Sequence, residues 1–343
     1  MDIFQQVFGL SMVSNGASKS IKTAAAHEKE IRTKFLDAQI SNPGLKPWEI
    51  TWGPVVYQRD LLGQATNALV VFTDKAAKCV VVAVAATNAY SIFDWMTEDA
   101  DVAPADMVAF PAGGNVSAGT HIGVTYLTKM VDPSTKQSLA TYLASVSGSS
   151  DYTLIFTGHS LGGALSPTLA MTLYPTGKSA QWQTIYVYPT AGASPGDAGF
   201  ANAFNAAYPK TVVDANTAYA VWNTDFWNSL DVVPHAWAAT TLAEIPTLYT
   251  MSPNVSKWLT NLVTNKVEPR PRDANGNNPY QALQNTPWTG STQQTSPLKT
   301  DAQLLGEILY QHVQAYISLF GLNRTAPTLM FTEGTAPADA SAE

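Results

Sequence analysis

Residues Tyr152 to Tyr174 read YTLIFTGHSLGGALSPTLAMTLY. The stretch opens on Thr153 to Phe156, a short apolar run of β-branched and aromatic residues that predicts a buried strand. Gly158-His159-Ser160-Leu161-Gly162 follows, then Gly163 and a helix-like segment from Ala164 to Leu173. A Gly-x-Ser-x-Gly pentapeptide between a strand and a helix has the context of a nucleophile elbow. The chemistry accounts for the spacing. A serine held in a strained turn lifts its hydroxyl clear of the sheet, and glycines two residues either side let strand and helix pass without a Cβ clash. The serine then lies at a helix N-terminus, where the Leu161 amide is free to stabilise a developing oxyanion. Ser160 is the expected nucleophile.

A serine hydroxyl attacks only if a base takes its proton, and the base needs a carboxylate to orient it. Where the chain order is Ser, acid, His, the histidine must follow Ser160, which leaves His235 and His312. His312 lies on a final predicted helix, Asp301 to Leu319, far downstream, and is the expected base; His235, close behind a proline turn, reads as structural. The acid should sit in a loop after a strand. Asp231, in Asp231-Val232-Val233-Pro234-His235, follows a strand predicted over Thr217 to Trp222 and is the expected acid. Asp225 is its nearest competitor, with Asp214 and Asp197 further upstream.

Around this centre, strands alternate with helices, which favours an α/β sheet in a single domain. Ala68 to Thr73 and Lys78 to Ala86 read as a hairpin turning at Asp74 to Ala77, its second strand apolar throughout and hence buried on both faces. Ser18 to Ile40 reads as an amphipathic helix ended by Asn42-Pro43-Gly44, and Trp48 to Tyr57 as a strand interrupted at Gly53-Pro54. One or two helices are expected between Thr120 and Val146, a strand over Thr184 to Tyr188 and a helix over Phe200 to Ala207. Residues 240–299 are polar and without strong periodicity and read as an insertion; residues 332–343 read as a disordered tail. The domain is thus expected over 1–331.

The chain has 343 residues, 45% of them apolar, and a formal charge of −7. That balance supports a sizeable core and argues against a nucleic-acid partner, which needs a basic stripe. The longest apolar run, Val80 to Ala86, is too short to span a bilayer. Met1 to Leu10 carries Asp2 and no basic region, so no leader peptide is expected. Cys79 is the single cysteine, which rules out an intrachain disulfide and leaves the compartment open.

With these residues in place, the chain resembles the class 3, fungal-type triacylglycerol lipases. The resemblance runs from about Leu69 to Leu319. Thr157 to Leu165, TGHSLGGAL, is similar to the family's elbow almost letter for letter. Val80 to Thr87 resembles the strand leading to the family's oxyanion turn, Asp94-Trp95 the pair that follows it, and His121-Ile122-Gly123-Val124 a helix start. Tyr188 to Phe204 is similar to the segment with Gly192 and Pro195-Gly196; Asp231 to Pro234 resembles the Asp-x-Val-Pro acid motif, and His312 with Tyr316 its His-x-x-x-Tyr.

The resemblance implies an α/β-hydrolase fold, a mostly parallel central sheet with helices on both faces. It implies cleavage of carboxylic esters, acylglycerols foremost, by a Ser160-His312-Asp231 triad with no cofactor and no metal. Thr87 would join Leu161 in the oxyanion hole, with Ala86 and Asn88 as neighbouring alternatives. Two departures stand out. The family's Phe-Arg-Gly before the lid reads Val84-Ala85-Ala86 here, and the 240–299 segment has no family counterpart. The resemblance also makes 88–116 a candidate lid. Its apolar cluster of Ile92, Phe93, Trp95 and Met96, followed by acidic residues, fits a helix that trades a pocket for a transient lipid–water interface, and equally an ordinary packed helix. A feruloyl- or phospholipase-type esterase or an acyltransferase would share every residue named, and a catalytically dead binder of lipid or protein would share most.

Overall fold

A computed structural model describes residues 1–15, 23–58, 65–86, 101–293 and 297–323. Thr87 and the stretch Asn88 to Ala100, with the candidate lid's apolar cluster, lie outside the described residues, as do residues 332–343.

Seven strands form one sheet in which spatial order follows chain order. They are β1 (Glu49–Gln58), β2 (Ala65–Asp74), β3 (Cys79–Ala86), β4 (Thr153–His159), β5 (Thr184–Thr190), β6 (Asp225–Asn228) and β7 (Asn285–Trp288). β1, β2 and β3 pair antiparallel. From β3 to β7 every neighbour is parallel. The β2–β3 turn closes as expected, with the Asp74 carboxylate accepting from the amides of Ala76 and Ala77. Gly53-Pro54 marks a register shift inside β1 and does not end it.

Pleating decides the two faces. Val80, Val82 and Val84 of β3 enter one apolar cluster, and Val81, Ala83 and Ala85 the other. Val80 to Val84 have no exposed surface, which is why this central strand is apolar without alternation. One face is covered by α1 (Ile3–Ser14) and α2 (Ala24–Ser41), the other by α3 (Ala118–Lys129), α4 (Leu139–Ser145), α5 (Leu161–Leu173) and α6 (Ala198–Ala207). α7 (Pro253–Leu262) and α8 (Asp301–Leu309) follow; α8 runs through a π turn at Tyr310–Gln314 into α9 (Ala315–Leu319). The α/β-hydrolase architecture expected from the motifs is the one present: a mostly parallel sheet between two helical layers.

Three elements differ from the sequence reading. The strand sought in Thr217 to Trp222 shrinks to Val221–Trp222, paired with Thr211–Val212 outside the main sheet. The sheet strand is β6, so the expected acid follows Asp225–Asn228. Within 240–299, read as a loop-rich insertion, lie α7 and the sheet's last strand, β7. The first residues, read only for a leader peptide, form α1. Asp2 and Gln5 build a capping box, and Phe4, Val7, Phe8, Leu10 and Val13 are buried against the sheet. Five such side chains contribute on the order of 8–15 kcal/mol of apolar burial as an upper bound.

Candidate active site

The elbow is built by backbone crowding. Ser160 stands at φ 63° and ψ −131°, a conformation that costs a non-glycine residue on the order of 1–3 kcal/mol. Its amide donates to the Thr190 carbonyl at 3.0 Å. A Cβ on Gly158 would lie 2.1 Å from the Gly162 carbonyl oxygen, and one on Gly162 would lie 2.4 Å from that of Val84. The start of α5 is thus pressed against the end of β3, and no side chain fits between. Ser160 and Leu161 are both part-exposed, and Leu161 is the first residue of α5, where an amide has no intrahelical acceptor.

Asp231 and His312 meet in the interior, each with 0% exposure. His312 Nδ1 lies 2.8 Å from Asp231 Oδ2 and 3.0 Å from Oδ1. A carboxylate only accepts, so Nδ1 carries the proton, and in the neutral ring Nε2 holds the lone pair. His312 Nε2 has no hydrogen-bond partner among the described residues. The Val233 amide donates to Asp231 Oδ1 at 3.0 Å and the Tyr316 hydroxyl to Oδ2 at 3.0 Å. Tyr316 also accepts from the Asn228 amide at 2.8 Å, which ties the acid's turn to the end of β6.

The elbow reaches His312 through its own second residue. His159 Nε2 donates to the His312 carbonyl at 2.8 Å, and the two rings lie 4.8 Å apart. With Nε2 protonated, His159 Nδ1 accepts from the Thr190 hydroxyl at 3.0 Å. Burial, reinforced by His312, holds the His159 pKa well below the ordinary histidine value and keeps the ring neutral. Phe8 of α1 meets the His159 ring edge-on at 5.9 Å and stacks on Phe320 at 4.2 Å, so the N-terminal helix floors the site.

The other candidates have partners of their own. His235 Nδ1 donates to the Asp231 carbonyl at 2.7 Å, and burial lowers its pKa. Asp225 accepts from the Gly192 amide at 3.2 Å; burial, with a smaller contribution from Asp231, raises its carboxyl to about 8. Asp197 caps α6 through the Phe200 amide and also accepts from Asn115, while Asp214 holds the exposed turn of Asn216 and Thr217. The structure therefore brings together Asp231 and His312 and links the Ser160 elbow to the same histidine. Sequence reasoning passed over His159, Thr190, Asn228 and Gln311. Only Tyr316 carried a signal, its spacing of four from His312.

A strained serine elbow, tied through His159 to a buried histidine–aspartate pair on a mostly parallel sheet, is the arrangement of an α/β-hydrolase fold. Residues 81–241 match the family model of the class 3 lipases. The match spans just under half of the chain, which is similar to that family and is a lipase-like carboxylic ester hydrolase. Among solved structures, M37 lipase is similar at 24% identity with a TM-score of 0.75, covering 94% of this chain and 93% of that one. A mutant form of MDLA from Penicillium cyclopium is 16% identical, covering 69% of this chain and 74% of that one at a TM-score of 0.42. Rhizomucor miehei triacylglyceride lipase is 18% identical, with coverages of 64% and 77% and a TM-score of 0.40. No curated protein matches the chain. No helix among the described residues is long and apolar enough to cross a membrane.

Proposed function

We propose that this chain hydrolyses acylglycerols through Ser160, His312 and Asp231 and a covalent acyl-enzyme. Ser160 Oγ attacks the ester carbonyl while His312 Nε2 takes its proton. Asp231 holds the ring in the tautomer that leaves Nε2 free and stabilises the imidazolium that forms. The tetrahedral oxyanion is held by the Leu161 amide, with Thr87 as the second donor. His312 returns the proton to the leaving alcohol; water, deprotonated by the same nitrogen, then releases the fatty acid.

One observation carries the reading. The Asp231–His312 hydrogen bond of 2.8 Å lies wholly buried, and the histidine's other nitrogen is unpartnered among the described residues. The neighbouring His159, equally buried, satisfies both of its nitrogens by contrast. We read the chain up to 331 as one domain, because both apolar clusters pack on the same sheet. The partner is a lipid ester, met transiently at a lipid–water interface.

The test is a substrate panel: an emulsified long-chain triacylglycerol, a short p-nitrophenyl ester, a phospholipid and a feruloyl ester, each with and without an added alcohol acceptor. Turnover of the triacylglycerol supports the proposal. Turnover of the short or feruloyl ester alone replaces it with an esterase, ester exchange in preference to hydrolysis with an acyltransferase, and no turnover of any with a binding protein.

A further inference from the structure

The helix that carries His312 changes pitch where the histidine sits. α8 gives way to the π turn at Tyr310–Gln314, and α-helix resumes at Ala315. A π turn holds one residue more than an α turn and is rarely stable without support. Gln311, wholly buried and adjacent to His312, gives that support. Its Oε1 accepts from Asn228 Nδ2 at 2.6 Å. Its Nε2 donates to the Ser291 carbonyl at 2.9 Å and to Glu307 Oε1 at 2.7 Å. Its own backbone carbonyl accepts from the same Asn228 Nδ2 at 3.2 Å.

Asn228 closes the other half. Its carbonyl accepts from the Asp231 amide at 2.9 Å and its amide donates to Tyr316, which donates to Asp231. One asparagine therefore grips both the turn that carries the acid and, through Gln311, the turn that carries the base. The loop after β7 seals the cluster. The Gly290 amide donates to Asn228 Oδ1 at 3.0 Å, and the Gln293 amide donates to Glu307 Oε1 at 3.1 Å. A Cβ at Gly290 would stand 2.8 Å from both Asn228 Oδ1 and Gln311 Oε1. The fit is closed to a methyl group.

We infer that Gln311 is a positioning residue for ester cleavage, holding the π turn so that His312 faces Asp231. The inference rests on the proposed role of His312 as base. Without the Gln311 amide, Asn228, Ser291 and Glu307 each lose a buried partner, and the turn can relax to α pitch. Losing the extra residue would rotate the histidine by about 100° around the helix axis, away from the acid.

The test compares Gln311→Met, similar in length but without the amide, with Gln311→Glu and the double variant Glu307→Gln/Gln311→Glu. The double variant restores a donor at 307 facing an acceptor at 311. Kinetics are read on a soluble short-chain ester below the melting temperature, per active site counted with a phosphonate. Gln311→Met should lower kcat roughly 10–100-fold with KM within about twofold. The double variant should recover kcat above Gln311→Glu alone. Wild-type kcat in Gln311→Met, whatever its melting temperature, overturns the inference. If that variant does not fold, a double variant no better than Gln311→Glu overturns it. His312→Ala, run in parallel, separates the two levels. If it retains activity, the base assignment fails and takes the inference with it; if it is inactive beside an unimpaired Gln311→Met, only the positioning role fails.

Discussion

Tyr316→Phe removes one oxygen and no apolar contact, so its cost can be worked from two hydrogen bonds. The hydroxyl accepts from the Asn228 amide at 2.8 Å and donates to Asp231 Oδ2 at 3.0 Å, with Tyr316, Asn228 and Asp231 all at 0% exposure. The Asn228 N–H would be left buried without an acceptor, at about 1–3 kcal/mol, and Asp231 would lose a bond of the charged kind, worth about 1.5–3 kcal/mol. Asp231 keeps His312 and the Val233 amide, so the sum should stay near 2–5 kcal/mol. At roughly 2 °C per kcal/mol for a chain of this size, the melting temperature should fall about 4–10 °C. The carboxylate can then swing, and kcat should drop about tenfold at unchanged KM, since a misplacement well below 1 Å suffices. Tyr208→Phe is the control. Its hydroxyl donates to the carbonyls of Ala170 and Tyr174, beneath the opposite helical layer. That variant should melt earlier with wild-type kcat. Calorimetry and active-site-titrated kinetics on a soluble ester read both quantities. Equal loss of kcat in the two variants, or none in Tyr316→Phe, would refute the reasoning.

Asp231→Asn should cost several orders of magnitude in kcat and Asp225→Asn less than tenfold, because only Asp231 touches His312; the reverse ranking in steady-state kinetics would move the acid to Asp225. Asp225→Asn should also alter stability with pH. Burial raises the Asp225 carboxyl from 3.8 to about 8, so the stability it contributes is complete below pH 4 and is lost as pH rises through 8. The asparagine variant should gain on wild type across that window, by at most ~1.4 kcal/mol per pH unit, and level off above it; parallel urea melts at pH 4 and pH 8 check this. Gly162→Ala should lower kcat at least roughly tenfold, because its Cβ would meet the Val84 carbonyl at 2.4 Å and neither backbone can yield without moving the elbow. Wild-type kinetics in that variant would show the approach of β3 and α5 to be looser than drawn.

The elbow was legible because its constraints are local. Gly158, Gly162 and Gly163 are needed by backbone atoms a few residues away or on neighbouring strands, and a pentapeptide records that need directly. β3 was legible because a strand buried on both faces must be apolar throughout. β6 and β7 were not. Asp225 to Asn228 reads DFWN and Asn285 to Trp288 reads NTPW, four residues each, without alternation, the second with a proline that only an edge strand accommodates. α1 was not legible because it is buried on nearly every side, so Phe4 to Ser14 lack the apolar stripe that marks an amphipathic helix. Glu307, Gln311 and Asn228 could not be found from sequence, since polar residues on a helix or strand end read as surface until their partners are in view. The π turn is equally silent, because Leu305, Leu309, Val313 and Ile317, each four residues apart, carry a plausible helical stripe through it and mask the five-residue step from Ile308 to Val313.

The claim on which the account turns is that Ser160 is the nucleophile and His312 its base. An alkyl p-nitrophenyl phosphonate, which a serine attacks as it would an ester, should release one equivalent of nitrophenol per wild-type chain. The phosphonyl group should map to the peptide containing Ser160 by mass spectrometry. His312→Ala should slow that release by several orders of magnitude, and Ser160→Ala should abolish it with thermal stability nearly unchanged. Label on a different serine, or one full equivalent released at the wild-type rate from either variant, would contradict the account.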